Sequence, residues 1–336
     1  VKINLVITFM PCRSHFNFIS YLFCCSLTNS LMRKYMKKTL VIALGGNALL
    51  QRGEVLSAEN QYKNIALVAD VVETLSRDYR VVIVHGNGPQ VGLLALQNLA
   101  YPAAPPYPLD ILVAETQGML GYMITQKLGQ AAGMPLVSTL LTRVEVHGDD
   151  PAFQTPGKYI GPVYSPEQEA ELRAQYGWQM KQDGQYIRRV VASPRPQRVL
   201  DVEGIKGLLA LDHVVVCAGG GGMPVVPVTQ GYCGVEAVID KDLTASRLAV
   251  ELEAEHLMIL TDADAVYQDW GTPQARALED VTTAQLKPFA APDGAMGPKA
   301  EAVIEFVERT GNVAWIGALK DAPAILAGQK GTRVHL

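Results

Sequence analysis

Cysteine is scarce in this 336-residue chain, and the few present form no pattern. Of the five, Cys12, Cys24 and Cys25 fall near the beginning, leaving Cys217 and Cys233 in the main body. Such a set builds no disulfide framework, and the paired C-x-x-C spacing of a zinc site is missing. Sparse thiols among apolar neighbours fit a reducing cytoplasm. Charge is also modest: charged residues make up 18% of the chain and the net charge is -4. That balance argues against a general nucleic-acid binder, and a small anionic substrate would need a locally positive pocket. No long apolar run suggests a membrane span. The stretch around Phe16 to Met32 is broken by Asn, Ser and Thr, is short for a span, and lacks a small-residue cleavage site. Internal repeats, low-complexity tracts and linkers are absent too.

What is present is core-forming material, with 49% hydrophobic residues, enough to exclude wholesale disorder. The pattern begins at "MKKTLVIALGGN", where Met36 reads as a natural start. Residues 1–35 differ in texture and are expected to be an extension outside the fold, from upstream translation or a misassigned start, with a poor signal or anchor segment as the other reading. Residues 36–336 are expected to form a single domain. Short β-rich runs at 39–44, 80–85, 134–141, 213–218, 256–261 and 312–317 alternate with helical patterns at 57–78, 110–132, 241–255 and 298–310. This alternation predicts an α/β fold: a largely parallel central sheet covered by helices on both faces, a three-layer α/β/α sandwich. Residues from about 148 to 200, rich in Pro, Gly and charge, break the rhythm and read as a small inserted lid subdomain.

Gly-rich loops follow three of the strands: "GGN" (45–47), "GNGPQ" (86–90) and "GGGGMP" (219–224). In open α/β sheets ligands collect at the carboxyl ends of strands, so the three loops point to one site. Gly45, Gly46 and Asn47, with Gly86, Asn87 and Gly88, let the backbone approach an anion, and Pro89 is placed at a helix start. Neither GxxxxGK[ST] nor GxGxxG is matched, which argues against P-loop and simple dinucleotide-binding readings. His85 ends a strand without an evident carboxylate partner and reads as structural.

Lysines beside such loops suit a transferred phosphoryl group, which needs charge stabilisation more than covalent help. Lys158 lies in "TPGKYIGP", Lys241 opens a helix after "VEAVID", and Lys299 opens another after "GAMGP". A lysine at a helix N-terminus is opposed by the macrodipole, so two of them imply a nearby anion.

With these residues in hand, "VIALGGNALLQRGE", "HGNGPQVGLLALQ", "ETQGMLGYMITQ", "RRVVASPRP", "GVEAVIDKDLTASRLA" and "GAMGPKAEAVIEFVE" resemble carbamate kinase, of the amino acid kinase superfamily. The resemblance runs in order from about residue 39 to 336. It implies reversible phosphoryl transfer between ATP with carbamate and ADP with carbamoyl phosphate, Mg²⁺ accompanying the nucleotide, and a homodimer. Lys158, Lys241 and Lys299 would clamp phosphates, and Asp240 would orient the lysines. The two N-terminal loops would hold carbamate and the transferred phosphoryl. Thr261, Asp262, Asp264, Tyr267, Met296 and Gly297 would line the nucleotide site, in a nucleotide-binding half at about 213–336. Asp242 is read as a first-turn acid facing the helix dipole. No metal-ligating residue, membrane or nucleic acid is implied.

Two motifs depart from the family's pattern. "PGKYIG" stands where PTKPIG is usual, so Gly157 and Tyr159 should loosen the loop and remove a hydroxyl, and Ala295 replaces a common Ser. Altered substrate affinity or specificity is therefore expected. Two competing readings stay open. One is an amino acid kinase acting on another small carboxylate or phosphonate; the other is a catalytically weak regulatory protein that binds carbamoyl phosphate or nucleotide. A pure sensor has no need for all three lysines.

Overall fold

The run "TLVIAL" lacks polar alternation because its strand is covered twice. In the computed structural model, which describes residues 37–51, 53–101, 103–291 and 296–336, strand Lys38–Leu44 lies inside an eight-stranded sheet. Leu40, Ile42 and Leu44 pack on one face and Val41 and Ala43 on the other. A strand buried on both faces reads as continuously apolar. The readings made for residues 1–35 and Ala295, and any role of the Asn47 side chain, lie outside the described residues.

The strand order is Asp280–Thr282, Thr332–His335, Val313–Ala318, His256–Thr261, Lys38–Leu44, Tyr79–His85, Val214–Cys217, Val137–Leu140. All neighbours from Val313–Ala318 to Val137–Leu140 are parallel, and Thr332–His335 runs antiparallel at one side. Each of the six strands expected from sequence is present. On one face Ala245, Leu248, Val303 and Phe306 cover Val41, Val82, Val215 and Ile259. On the other, Ile65, Val68, Leu120 and Ile124 cover Leu40, Ile42, Ile83 and Val216. These two separate clusters are the two cores of an α/β/α sandwich.

Helix ends follow local chemistry. Helix Ala58–Ser76 starts at Ser57, whose side chain accepts from Asn60 N (3.2 Å), a common N-cap arrangement. Helix Lys241–Glu251 ends short of the expected 255, where Glu253 takes a positive φ of 51°. Strand Val137–Leu140 begins later than expected, after Pro135, which has no N–H for a ladder.

Lys158–Tyr164, Tyr186–Val191 and Met180–Asp183 form a separate antiparallel sheet in that spatial order, with helix Pro166–Tyr176 in the crossover. That helix carries a Ser165–Gln168 capping box and a left-handed Gly177 (φ 65°) at its end. One carboxylate ties the base of this excursion: Asp150 accepts from Ala152 N (2.8 Å) and from Arg195 N (3.0 Å). Residues 196–199, inside the span read as the insert, belong elsewhere. They join a four-stranded sheet ordered Tyr232–Gly234, Met223–Pro227, Arg143–Val146, Pro196–Val199. Sequence reasoning did not anticipate this sheet, because its strands are short and the surroundings rich in Gly and Pro.

Candidate active site

The parallel strands deliver four turns to one edge of the sheet: those after Leu44, His85, Cys217 and Thr261. Gly45 N donates to Leu260 O (2.9 Å), and a Cβ on Gly45 would lie 3.1 Å from that oxygen. A Cβ on Gly86 would lie 3.5 Å from Lys241 Cδ and 3.8 Å from Gly46 N. The first two loops and the Lys241 stem therefore converge, as the sequence implied.

The four-glycine turn locks these loops to each other. Gly220, Gly221 and Gly222 have φ of 67°, 89° and 91°, a region that side chains with Cβ avoid. A Cβ on Gly219 would lie 2.5 Å from the His85 ring, one on Gly220 2.2 Å from Asn87 Nδ2, and one on Gly221 2.4 Å from Ile239 O. Asn87 is buried and spends its side-chain amide on Thr116 Oγ1 (2.9 Å). His85 is buried and donates from Nδ1 to Gly86 O (2.9 Å). Burial pushes its pKa down to about 4, with Lys241 adding to the effect against the Gly86 hydrogen bond. It is a neutral structural histidine.

The charged groups come from three distant segments. Lys158 Nζ donates to Asp240 Oδ2 (2.5 Å). Asp240 also caps its helix, accepting through Oδ1 from Asp242 N (2.9 Å) and Leu243 N (3.4 Å). Lys241 Nζ donates to Asp242 Oδ1, and Lys299 Nζ donates to Asp242 Oδ2 (3.2 Å). Asp242 is thus no mere first-turn acid. Its side chain is 3% exposed and it holds two of the three lysines, whereas Asp240 pairs directly with one. The sequence reading missed this because facing the helix dipole was sufficient to account for an acid there. The only available signal was its position one residue after Lys241.

The electrostatics follow from burial. Burial alone would depress the Lys158 ammonium, but the Asp240 charge and hydrogen bond outweigh it and raise the pKa. For Lys241 burial wins, reinforced by Lys299, and the pKa is lowered despite Asp242 and Asp240. Burial would raise the Asp240 carboxyl; Lys158 and Lys241 overcome this and hold it well below the usual carboxylate range. Three cations against two anions leave one positive charge unbalanced in a poorly hydrated site. An uncompensated charge there is costly until an anion arrives.

Lys158 is held in place by backbone contact. A Cβ on Gly92, in helix Gly88–Leu99, would fall 2.0 Å from Gly161 Cα, so the helix and the Lys158 strand touch through paired glycines. Pro89 occupies the second position of that helix. Gly157 has open space around it, but Tyr159 does not hang loose. Its hydroxyl donates to Gln182 O (2.6 Å) and Arg188 stacks over its ring at 5.6 Å. The tyrosine supplies an anchor at the position where loosening was expected.

Of the expected nucleotide residues, Thr261 ends its strand beside Gly45 and donates to Asp262 Oδ1 (2.9 Å). Tyr267 donates to Asp264 Oδ1 (3.0 Å), so these two hold each other. Met296 and Gly297 lie at the start of the helix that presents Lys299.

Residues 38–317 match the amino acid kinase family. Over 299 residues the chain is 60% identical to the carbamate kinase of Escherichia coli strain K12, covering 89% of this chain and all of that one. The Rhizobium meliloti carbamate kinase is 50% identical over 297 residues, 87% of this chain and 92% of the relative. Among solved structures, carbamate kinase from Giardia lamblia bound to AMP-PNP superposes with a TM-score of 0.81 at 37% identity, covering 89% of this chain and 98% of that one.

Proposed function

The chain belongs to the amino acid kinase family, and from that premise we propose that it is an ATP-dependent carbamate kinase, interconverting ATP with carbamate and ADP with carbamoyl phosphate. The observation that carries this reading is the convergence of Lys158, Lys241 and Lys299 on Asp240 and Asp242 beside two glycine-rich turns.

Carbamate needs no strong general base, because its attacking oxygen is already anionic. That oxygen forms the new P–O bond while the bond from the γ-phosphorus to the ADP oxygen breaks, and the bonding pair leaves with ADP. The work left to the protein is positioning and charge stabilisation. Gly46, Asn47, Asn87 and Gly88 supply backbone N–H groups to carbamate and the transferred phosphoryl, while Gly45 and Gly86, whose N–H groups are spent on Leu260 O and Leu44 O, let the turns approach closely. Lys158 reaches over the site from the inserted sheet, while Lys241 and Lys299 rise from two helix N-termini to the phosphates. Asp242 spaces those two ammonium groups, and Asp240 aims Lys158. Thr261, Asp262, Asp264, Tyr267, Met296 and Gly297 line the nucleotide side.

Among the described residues no cluster of three or more His, Cys, Asp or Glu could hold a metal ion. Mg²⁺ accompanying the nucleotide would be carried by the nucleotide's own phosphates, as such ions commonly are, and would add positive charge beside the three lysines. The inserted three-stranded sheet of Lys158–Tyr164, Tyr186–Val191 and Met180–Asp183 acts as a lid over the substrates.

The protein works in the cytoplasm, consistent with its sparse thiols. It works as a homodimer; the apolar side chains of Leu93, Ile111, Met119 and Tyr122, exposed on helices Gly88–Leu99 and Leu109–Leu128, favour a second copy as partner. Among the described residues no helix is long and apolar enough to cross a membrane.

The deciding experiment is a coupled assay of ATP formed from ADP, Mg²⁺ and carbamoyl phosphate. Turnover is expected, and its absence in well-folded protein defeats the proposal. Phosphorylation of another carboxylate or phosphonate, without ATP formation from carbamoyl phosphate, would instead identify a different kinase on this fold.

A further inference from the structure

Behind the strand that carries Lys158 lies a cavity of about 520 Å³ that none of the chemistry above uses. Val191, the cross-strand partner of Lys158, lines it, together with Trp178, Arg189 and Glu236 from one side and Leu99 and Leu112 from the other. It opens at the far end of helix Gly88–Leu99, about 16 Å from the end that meets the glycine turns, at 1.5 Å of rise per residue.

The group that asks for a partner there is Arg189. Its side chain is 14% exposed, its guanidinium stacks 4.2 Å over the Trp178 ring, and its ion pair is a single 3.4 Å contact to Glu236 Oε1. Glu236 is occupied elsewhere, since its other oxygen accepts from Leu109 N (2.8 Å) at the start of a helix. Burial pulls the Arg189 pKa below its ordinary range, against the opposing influence of Glu236 and Tyr164. A guanidinium has five N–H donors in a planar fork suited to a bidentate carboxylate. One long contact leaves most of that capacity unused. Around it Leu99, Leu112 and the Trp178 ring supply apolar surface, beside about as much polar surface.

We propose that this cavity is a binding site for a small monocarboxylic acid with a planar apolar body, its carboxylate on Arg189 and its body against Trp178, Leu99 and Leu112. Such a ligand competes with Glu236 for Arg189. Glu236 leads by way of Ala237, which bridges to Ala192, to Asp240. Arg189 lies on the strand paired with Lys158. Occupancy thus bears on both partners of the Lys158–Asp240 pair from behind, and regulation is the corresponding role.

The test uses the full chain and titration calorimetry with benzoate, and with benzamide as the uncharged analogue of similar shape. Benzoate is expected to bind, benzamide at least about tenfold more weakly, as suits a charge-assisted contact. Saturating AMP-PNP should leave benzoate bound, which separates this site from the nucleotide site. Arg189→Gln should abolish the benzoate signal. Leu99→Trp, which fills the space and keeps the guanidinium, should do the same and carries the test if the first variant fails to fold. Absence of benzoate binding, equal binding of benzamide, displacement by AMP-PNP, or undiminished binding in a folded variant overturns the proposal. The measurement needs no turnover, so it stands apart from the assay for the kinase reaction.

Discussion

Replacing Gly92 by alanine should disable the site from a position outside it. The new methyl would lie 2.0 Å from Gly161 Cα and 2.4 Å from Gly161 N, both backbone atoms. Carbon atoms pack no closer than about 3.5 Å without repulsion, so strand Lys158–Tyr164 must retreat by about 1.5 Å. Lys158 lies three residues from Gly161 on that strand, and its Nζ is 2.5 Å from Asp240 Oδ2. A retreat of that size stretches the contact to about 4 Å, beyond a charge-assisted hydrogen bond. Misplacing a positioning group by about 1 Å costs on the order of 10²-fold in rate. Overpacking costs about 1–3 kcal/mol of stability, partly offset by the roughly 1 kcal/mol that alanine gains over glycine inside a helix. The expected result is kcat for ATP formation lower by about 10²-fold in a protein that still unfolds cooperatively. Gly161→Ala is the control. A Cβ there meets Gly92 Cα only at 3.6 Å, so its cost is the positive φ of 70° rather than a clash. It should lower stability by about 1–2 kcal/mol and disturb kcat much less. Folded Gly92→Ala protein with activity within about threefold of the parent would refute the reasoning, and so would equal losses in the two variants.

Lys241→Ala should reduce kcat by on the order of 10²–10³, comparable to losing one preorganised charge-stabilising donor; a loss below about tenfold in steady-state kinetics would reduce it to a structural role. Asp242→Asn keeps the shape but leaves the Lys241 and Lys299 ammonium groups without their shared counter-charge. Denaturant titration should show a loss of about 3–5 kcal/mol, as for a broken buried pair, and an unchanged midpoint would mean the pairing contributes nothing. For His85, the folded pKa of about 4 lies below the ordinary 6.5, so as pH falls the unfolded chain takes up the proton first. Stability is therefore fully present above about pH 6.5 and declines toward pH 4, by roughly 3 kcal/mol. In His85→Gln that part of the stability–pH curve should flatten; an equal slope in both proteins would show that another group is responsible.

Much of the architecture was legible because it depends on local pattern. The doubly covered strands had to be continuously apolar, and "TLVIAL", "RVVIVH" and "HLMILT" are. The glycine-rich turns at the strand ends were legible because only glycine tolerates close backbone approach, and Lys241 and Lys299 because a cation at a helix start contradicts the dipole. The four-stranded sheet was not legible, since Arg143–Val146 and Met223–Pro227 are too short to show a period. The role of Asp242 was hidden for a different reason: an acid in a first helical turn is already favourable, so nothing in its placement demanded a second explanation. His85 was read correctly as structural, and its burial against Gly219 supplies the physical cause.

By itself the sequence determined the layered fold, the edge where the loops gather, and the chemical types gathered there. Those depend on hydrophobic periodicity and backbone conformational limits, which act over a few residues. Only the tertiary structure decided the pairing: Lys158 with Asp240 across 82 positions, Lys299 with Asp242 across 57, and Gly92 against Gly161. Coulomb attraction and van der Waals contact act through space over a few ångströms. Separation along the chain leaves no local trace of which partners will meet.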